Sequence, residues 1–263
     1  MARTVLITGA SDGLGRAIAR HAHRQGWNVL AHGRNQERLD ALARELPGTR
    51  TFRADFTSLA AVERMADDVV ANVPRLDALL CNAGIGTRVP EGRSETGDGV
   101  ELRFAVNYLA CYLLVRRLLG LLRRSAPSRI VFVSSSGQMR IDFHDVMLEA
   151  GYSGMRAYCQ SKLALVMLAF DLADELAGTG VTATALHPGT LMPTKMVIDA
   201  GITPVDSLES GMATTWSLIA DPELEGVTGS YFDRMGEAEP DAQAHDPGAR
   251  AALREISRVL TGV

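Results

Sequence analysis

Short apolar runs alternate along the chain with longer stretches in which apolar residues recur every three or four positions. The runs at 4–8, 27–32, 50–54, 78–81, 129–134, 181–186 and 229–232 have the length and residue types of strands. Several of them, such as Val5-Leu6-Ile7 and Ile130-Val131-Phe132-Val133, are apolar throughout instead of alternating with polar residues. A strand covered by helices on both faces produces that pattern, so the runs predict a parallel sheet. Helical spacing is found near 14–25, 35–45, 58–72, 98–124, 155–177, 205–220 and 247–260. Strand–helix alternation with right-handed crossovers predicts an α/β class, doubly wound sheet. No repeat, low-complexity tract or Pro/Ser-rich linker divides the chain, which predicts one domain over residues 1–263. The least regular segments, 84–99, 137–155 and 190–204, fall beyond strand carboxyl ends, where open α/β sheets place ligand-gating loops.

Composition adds mainly exclusions. The chain is 46% hydrophobic and 22% charged, with a formal net charge of −4 and a pI near 5.9. That balance gives no electrostatic reason to expect nucleic acid or an anionic membrane as a partner. The pairs Arg116-Arg117 and Arg123-Arg124 are the only local basic clusters and read as a solvated helix face. Three cysteines, Cys81, Cys111 and Cys159, are too few and too scattered for a disulfide framework or a metal site. The amino terminus enters a strand pattern at once, without a signal-peptide layout. No apolar run is read as reaching the roughly 18 to 20 residues of a membrane span. The expectation is a cytoplasmic chain with no membrane partner.

The candidate chemistry lies at two ends of the pattern. At the first strand–helix junction stands Thr8-Gly9-Ala10-Ser11-Asp12-Gly13-Leu14-Gly15. Gly9 permits a tight turn, Gly13 lets backbone N–H groups approach a pyrophosphate, and Gly15 allows close helix–strand packing, while the helix N-terminus favours the anion. An acid after the second strand would bind the adenosine ribose hydroxyls and repel a 2′-phosphate. The stretch there is His32-Gly33-Arg34-Asn35, with an arginine and no acid. A guanidinium pairs with a phosphate, so NADP(H) is preferred and NAD(H) stays open. Asp12, in the turn itself, argues the other way, and Arg34 could equally be an exposed helix-start residue. Asp55 could accept a hydrogen bond from the adenine amino group or serve as a helix cap. Asn82-Ala83-Gly84 closes the fourth strand, where small residues leave room for a ribose.

At the other end, Tyr158 and Lys162 stand four apart on a predicted helix and share a face. Reducing a carbonyl by hydride leaves an alkoxide that needs a proton, and a phenol of pKa about 10 is a poor acid at neutral pH. A nearby ammonium and an oxidised nicotinamide both favour the phenolate and lower that value. Tyr158 is therefore the expected general acid in reduction and base in oxidation. Lys162 would also hold the nicotinamide ribose. Ser135, after the fifth strand, would orient the substrate oxygen, with Ser134 and Ser136 as competitors one residue away. Asn107 interrupts an apolar helix, where a buried amide must be satisfied. It could kink the helix and hold a proton-relaying water, or make only a structural bond to backbone.

These residues together resemble the short-chain dehydrogenase/reductase family, and within it the retinol-dehydrogenase and WW-domain-oxidoreductase branch. The likeness rests on Thr8-Gly9-x-x-x-Gly13-x-Gly15, Asn82-Ala83-Gly84, Asn107, Ser135, Tyr158-x-x-x-Lys162, Pro188-Gly189 and the closing Thr228-Gly229-Ser230-Tyr231-Phe232. It implies a Rossmann-type parallel sheet of seven strands ordered 3-2-1-4-5-6-7, and a catalytic set of Asn107, Ser135, Tyr158 and Lys162. The implied cofactor set is Gly9, Ser11, Asp12, Gly13, Leu14 and Gly15, then Arg34, Asp55, Phe56, Asn82, Ala83 and Gly84. Asn107, Tyr158, Lys162, Pro188, Gly189 and Thr190 complete it. Thr190 and Thr194 compete for the contact beyond Pro188-Gly189, because Pro193 occupies the usual place. A homodimer or homotetramer built through the fourth and fifth helices is also implied.

The expected substrate is a small carbonyl compound or alcohol. Gln138, Met139, Phe143, His144, Met147 and Tyr152, with Leu191, Met192, Met196, Val197 and Ile198, suggest an apolar pocket and lid for a hydrophobic substrate. Methionine at helical spacing is as readily ordinary core. Cys159 is expected to pack on another helix face. A nucleotide-sensing protein without turnover, and a redox-neutral epimerase or dehydratase, are the alternatives to an oxidoreductase.

Overall fold

The computed structural model describes residues 2–88 and 92–263. Of the irregular 84–99 segment, residues 89–91 lie outside the described residues. The chain runs β1 (Thr4–Ile7), α1 (Gly13–Arg24), β2 (Asn28–Gly33), α2 (Gln36–Glu45), β3 (Arg50–Arg53), α3 (Leu59–Asn72) and β4 (Ala78–Cys81). It continues through a π-helical turn (Phe104–Leu109) into α4 (Ala110–Arg124), then β5 (Ser128–Val133), α5 (Gly154–Glu175) and β6 (Val181–His187). The last part holds α6 (Lys195–Asp199), α7 (Leu208–Ala220), β7 (Ser230–Asp233), β8 (Gly236–Ala238) and α8 (Pro247–Thr261).

All eight strands share one sheet in the order β3-β2-β1-β4-β5-β6-β7-β8. The pairings from β3 to β7 are parallel. The apolar strands are continuous because alternate residues feed opposite layers. Val5 and Ile7 enter the core under α1, α2 and α7, whereas Leu6 enters the core under α3, α4 and α5. Ile130 and Phe132 separate from Val131 and Val133 in the same way. Each layer therefore needs apolar side chains from the same strand.

Three expectations need correction. The sheet has eight strands, not seven: Arg234, at φ 53°, turns the chain so that Asp233, Phe232 and Tyr231 pair antiparallel with Gly236, Glu237 and Ala238. A strand of three residues with two exposed positions carries too little apolar signal to stand out. Second, Phe104–Arg124 is long and apolar enough to cross a membrane by length and composition, with a mean hydropathy of 1.4, and 83% of that window is buried inside the fold. Its apolar character is that of a helix packed between α3, α5 and the sheet. Third, the 190–204 segment contains the short helix α6, which buries none of its residues.

The parallel strands direct their carboxyl ends to one edge, where the Thr8–Gly15 turn faces the loop after β4. Gly15 marks how closely they approach: a Cβ there would lie 2.2 Å from the Gly9 carbonyl oxygen and 2.7 Å from Asn82 Nδ2. A Cβ at Gly120 on α4 would meet only Arg124 Nη1, at 3.5 Å. Gly15→Ala should therefore lower the unfolding free energy by about 1–3 kcal/mol, and Gly120→Ala should not. Urea midpoints for the two variants test this, and equal midpoints would rule out the tight contact.

Candidate active site

The cradle at the sheet edge is organised by one hydroxyl. Thr8 Oγ1 donates to the Leu80 carbonyl at 3.2 Å and accepts the N–H groups of Asn82 at 2.8 Å and Ala83 at 3.0 Å. Asn82 Nδ2 returns a bond to the Thr8 carbonyl at 2.8 Å. Gly9 and Gly13 have φ of 68° and 49°, the left-handed region that glycine enters without strain. Leu14 is buried beneath the turn, and Ser11 lies against Gly33 at the end of β2. The turn is thus fastened to β4 on one side and to β2 on the other.

His32 makes the second fastening. Its Nδ1 accepts the Gly9 N–H at 3.3 Å, and its Nε2 lies 3.1 Å from the Ala54 carbonyl. A backbone N–H can only donate, so the neutral ring carries its proton on Nε2 and donates to Ala54. Phe56 stacks on the ring at 4.2 Å between centroids. Burial pushes the imidazole down to about 4. The Phe56 ring is thereby committed to His32 instead of to the cleft. Asp55 Oδ1 accepts both the N–H and the O–H of Thr57, and α3 is capped by Ser58, so Asp55 is not the helix cap.

Arg34 is exposed at the mouth, immediately after β2. Asp12 caps α1 through the Gly13 N–H, and its other oxygen lies 2.9 Å from Arg38 Nη1. Arg38 thus neutralises the acid that argued against a phosphate.

The catalytic candidates converge on the ends of β4 and β5. Lys162 Nζ is buried, donates to the Val133 carbonyl at 2.8 Å and lies 5.6 Å from the centre of the Tyr158 ring. Burial pushes this lysine down to about 8. Burial also raises the Tyr158 phenol, opposed by its hydrogen bond with Ser135. The net direction is upward, so the lowering expected from Lys162 is not seen in the chain alone. The three serines differ in their surroundings: Ser134 is buried with its hydroxyl on the Lys162 carbonyl at 2.7 Å, Ser136 is exposed, and half-buried Ser135 accepts the Gly137 N–H at 3.0 Å and acts to lower the Tyr158 phenol.

Asn107 sits inside the π-helical turn, fully buried. Its Oδ1 accepts the Ile85 N–H at 2.7 Å, and its Nδ2 donates to the Ile85 carbonyl at 3.1 Å and to Ser161 Oγ at 2.9 Å. The amide ties the loop after β4 to α5. Gly84 lies beside it, and a Cβ there would be 3.2 Å from Asn107 Oδ1 and 3.6 Å from Lys162 Nζ.

Beyond β6, Pro188 and Gly189 are buried and the following loop folds across the cleft. Asp206 Oδ2 accepts the Thr190 N–H at 2.6 Å and Arg234 Nη2 at 2.8 Å. The Thr190 hydroxyl accepts from Arg234 at 3.1 Å and lies 3.1 Å from His187 Nε2. Thr190 is thus occupied at the base of the loop, whereas Thr194 reaches the phosphate turn: its Cγ2 lies 3.1 Å from where a Gly13 Cβ would be. Met196 meets Gly86 on the opposite bank. Several expected pocket residues are committed elsewhere. Met192 fills the space over Gly211, Phe143 and Met147 pack on the core, and Tyr152 bonds Arg103 and Glu101. Cys159 Sγ lies by Gly137, whose Cβ position is 3.4 Å from both Cys159 Sγ and Ser135 Oγ. It therefore borders the site instead of packing on another face.

A short chain dehydrogenase family model matches residues 3–203. The chain belongs to the short-chain dehydrogenase family. It is an oxidoreductase of CH–OH and C=O groups that uses a nicotinamide nucleotide. Its relatives place it on the retinol-dehydrogenase-like branch. Retinol dehydrogenase 13 of Mus musculus is 35% identical over 99% of this chain and 84% of its own length. Retinol dehydrogenase 14 of Homo sapiens is 36% identical over 99% and 87%. The WW domain-containing oxidoreductase of Danio rerio is 30% identical over 98% and 68%. Among solved structures, a protein from Mycobacterium paratuberculosis superposes with a TM-score of 0.80 at 32% identity, covering 99% of this chain and 94% of that one. A short chain dehydrogenase from Shigella flexneri complexed with NADP gives 0.72 at 29%, covering 89% and 97%.

Within this dehydrogenase, several residues that shape the site escaped the sequence reading: Thr8 as a hub, His32, Arg38, Ser161, and the Asp206–Arg234 pair. The histidine had a local signal, a polar residue in an otherwise apolar strand. The others depend on contacts across 26 residues or more, from Arg38–Asp12 to Asn107–Ser161 and Thr8–Asn82. His32 gives a test. The unfolded chain takes up its proton at about 6.5 and the folded chain only at about 4. Its contribution to stability is thus full above 6.5 and is lost as the pH falls to 4, up to about 3 kcal/mol. His32→Phe should flatten this slope in urea unfolding between pH 4 and 7; parallel curves for both proteins would exclude a neutral buried ring.

Proposed function

We propose that this chain is an NADP(H)-dependent oxidoreductase that interconverts an apolar ketone or aldehyde with its alcohol, with Tyr158 as the general acid and base. The observation that carries it is the convergence at the strand ends of the buried Lys162, whose Nζ lies 5.6 Å from the centre of the Tyr158 ring, with Ser135, which favours the ionised phenol.

The residues present fit a dinucleotide. The turn through Gly9, Ser11, Asp12, Gly13, Leu14 and Gly15 offers backbone N–H groups at a helix start. Asn82, Ala83 and Gly84 leave room beside Lys162, and Pro188, Gly189 and Thr194 close the far side. Arg34 supports a 2′-phosphate, and the Arg38–Asp12 pair removes the repulsion that Asp12 would otherwise exert. Asp55, held by the N–H and hydroxyl of Thr57, would accept the adenine amino group with its other oxygen. When bound, the nicotinamide supplies or accepts the hydride. Ser135 orients the substrate oxygen, and Tyr158 gives that oxygen a proton in reduction and removes it in oxidation. Lys162, charged below about pH 8, holds the ribose hydroxyls and favours the phenolate. Its charge and that of the oxidised nicotinamide together offset the burial that raises the phenol. Asn107 holds the loop after β4 against α5 and so sets the distance between Gly84 and Lys162.

An apolar substrate is supported by the rim. Among the described residues, nine large apolar side chains are exposed, and seven of them, Met139, Met155, Leu191, Met196, Ile198, Val205 and Met235, stand in the segments that follow the carboxyl ends of β5, β6 and β7. Exposed apolar side chains concentrated at one end of a sheet mark a binding surface.

Tyr158→Phe should retain NADPH binding, read by nucleotide fluorescence, and lose turnover on aldehydes and ketones by about 100-fold or more. An unchanged kcat would remove the proton-transfer role. Arg34→Ala should raise the NADPH dissociation constant about tenfold, the equivalent of one charge-assisted contact, with a much smaller change for NADH. Equal losses for both nucleotides would remove the phosphate assignment.

A further inference from the structure

The Ser135 hydroxyl can orient a substrate oxygen only if its own backbone is held, and β5 has just lost its neighbours there. The Ser134 N–H still bonds to the Leu186 carbonyl of β6 at 2.8 Å. One residue on, the Ser135 carbonyl accepts from Tyr231 Oη and from Gln138 Nε2, each at 3.0 Å. Both lone pairs of that oxygen are thereby used. We propose, on the role given above to Ser135, that Tyr231 is a positioning residue of the reaction: with Gln138 it holds the Ser135 carbonyl and so fixes the hydroxyl that meets the substrate.

Tyr231 stands on β7, 3% exposed, in the core under α3, α4 and α5. Ala185 of β6 registers against Tyr231 on one side and Phe132 on the other, so the three share one face of the sheet. Packing on that face needs a ring and no hydroxyl. A buried hydroxyl must find a partner, and this one reaches past the end of β5 to find it. Burial pushes the phenol up to about 12, so it stays a neutral donor near neutral pH. Held before its Cα by the ladder and after it by two donors, Ser135 keeps one orientation, in which its Oγ accepts the Gly137 N–H at 3.0 Å.

Gln138 is itself fixed from the same quarter, because its Oε1 accepts the Asp241 N–H at 3.0 Å. Three residues further, Ile141 gives its N–H to Gln243 Oε1 at 2.6 Å and accepts Gln243 Nε2 at 3.1 Å. Gln243 is 5% exposed, so this exchange is shielded from water. The segment leaving Ser135 is therefore fastened by Tyr231, Asp241 and Gln243, all beyond residue 203, where the family model ends. The carboxyl-terminal part of the chain thus reaches the site through the serine's backbone.

Tyr231→Phe keeps the ring and removes the donor. Its NADPH dissociation constant and urea midpoint should stay near the wild-type values. On carbonyl substrates kcat should fall about tenfold, the equivalent of one hydrogen bond, with KM changed by less than about twofold. In a Ser135→Ala background the same change should cost less than about twofold, because the group it positions is gone. An unchanged kcat, or a loss that repeats in full without the serine hydroxyl, overturns the proposal. Gln138→Met removes the other donor at a half-buried position; it should lower kcat in the same sense, and it takes over as the test if Tyr231→Phe does not fold. Amide exchange over 136–141, read without substrate, should quicken in both variants, and unchanged exchange overturns the fastening even where nothing is turned over. A wild-type protein inert toward every carbonyl with either nucleotide would instead fail the oxidoreductase function itself.

Discussion

Parallel strands end together, and their last backbone groups have no neighbour to continue the ladder. At the junction of β1 and β4 that shortage is met by the Thr8 hydroxyl, which serves Leu80, Asn82 and Ala83 at once. An unmet buried N–H costs about 1–3 kcal/mol, so one side chain here secures two. The glycine turn, the small residues of Asn82-Ala83-Gly84 and the spacing between them all follow from this junction. Asn107 repeats the device one strand further on, where its amide satisfies both backbone groups of Ile85. Catalytic geometry in this dehydrogenase is built by polar side chains that substitute for missing strands.

Burial then sets the electrostatics. Lys162, His32 and Tyr158 are all pushed toward their neutral forms by the surrounding apolar layers. For His32 neutrality is structural, because a protonated ring could no longer accept the Gly9 N–H. For Lys162 and Tyr158 the same desolvation leaves two groups whose charge is easily changed by whatever enters the cleft. Near the surface, Arg38 and Asp12 form a half-exposed ion pair. Pairs of that kind contribute little to stability; their effect is on the field that an incoming phosphate meets.

Much of this was legible in the sequence because it is written in local pattern. Val5-Leu6-Ile7 announces a strand covered on both faces, and the two cores confirm why each residue had to be apolar. The glycine turn and the four-residue step from Tyr158 to Lys162 are likewise local, so position alone brings their groups near one another. Legibility ended where a residue's partner is remote. Ser134 and Ser135 are indistinguishable until the Lys162 carbonyl claims one of them. Met192 and Phe143 look like pocket residues until Gly211 and the core absorb them. The eighth strand was missed because its pairing depends on one left-handed residue, Arg234, and not on any apolar run.

The loop between β6 and α7 crosses the cleft from the Gly13 turn to Gly86. Its two ends are joined by paired backbone bonds, Asp206 N–H to the Thr190 carbonyl and Val205 N–H to the Leu191 carbonyl, and Asp206 fastens both to the Arg234 turn. Residues 192–204 are therefore suspended from a closed base, and α6 among them buries nothing. Lengthening or rewriting such a stretch adds only a slowly growing loop entropy and leaves the strand ends in place. The loop is thus an exchangeable cassette, while Ser135, Tyr158 and Lys162 stay anchored at the end of β5 and on α5. Over evolutionary time the two can diverge at different rates.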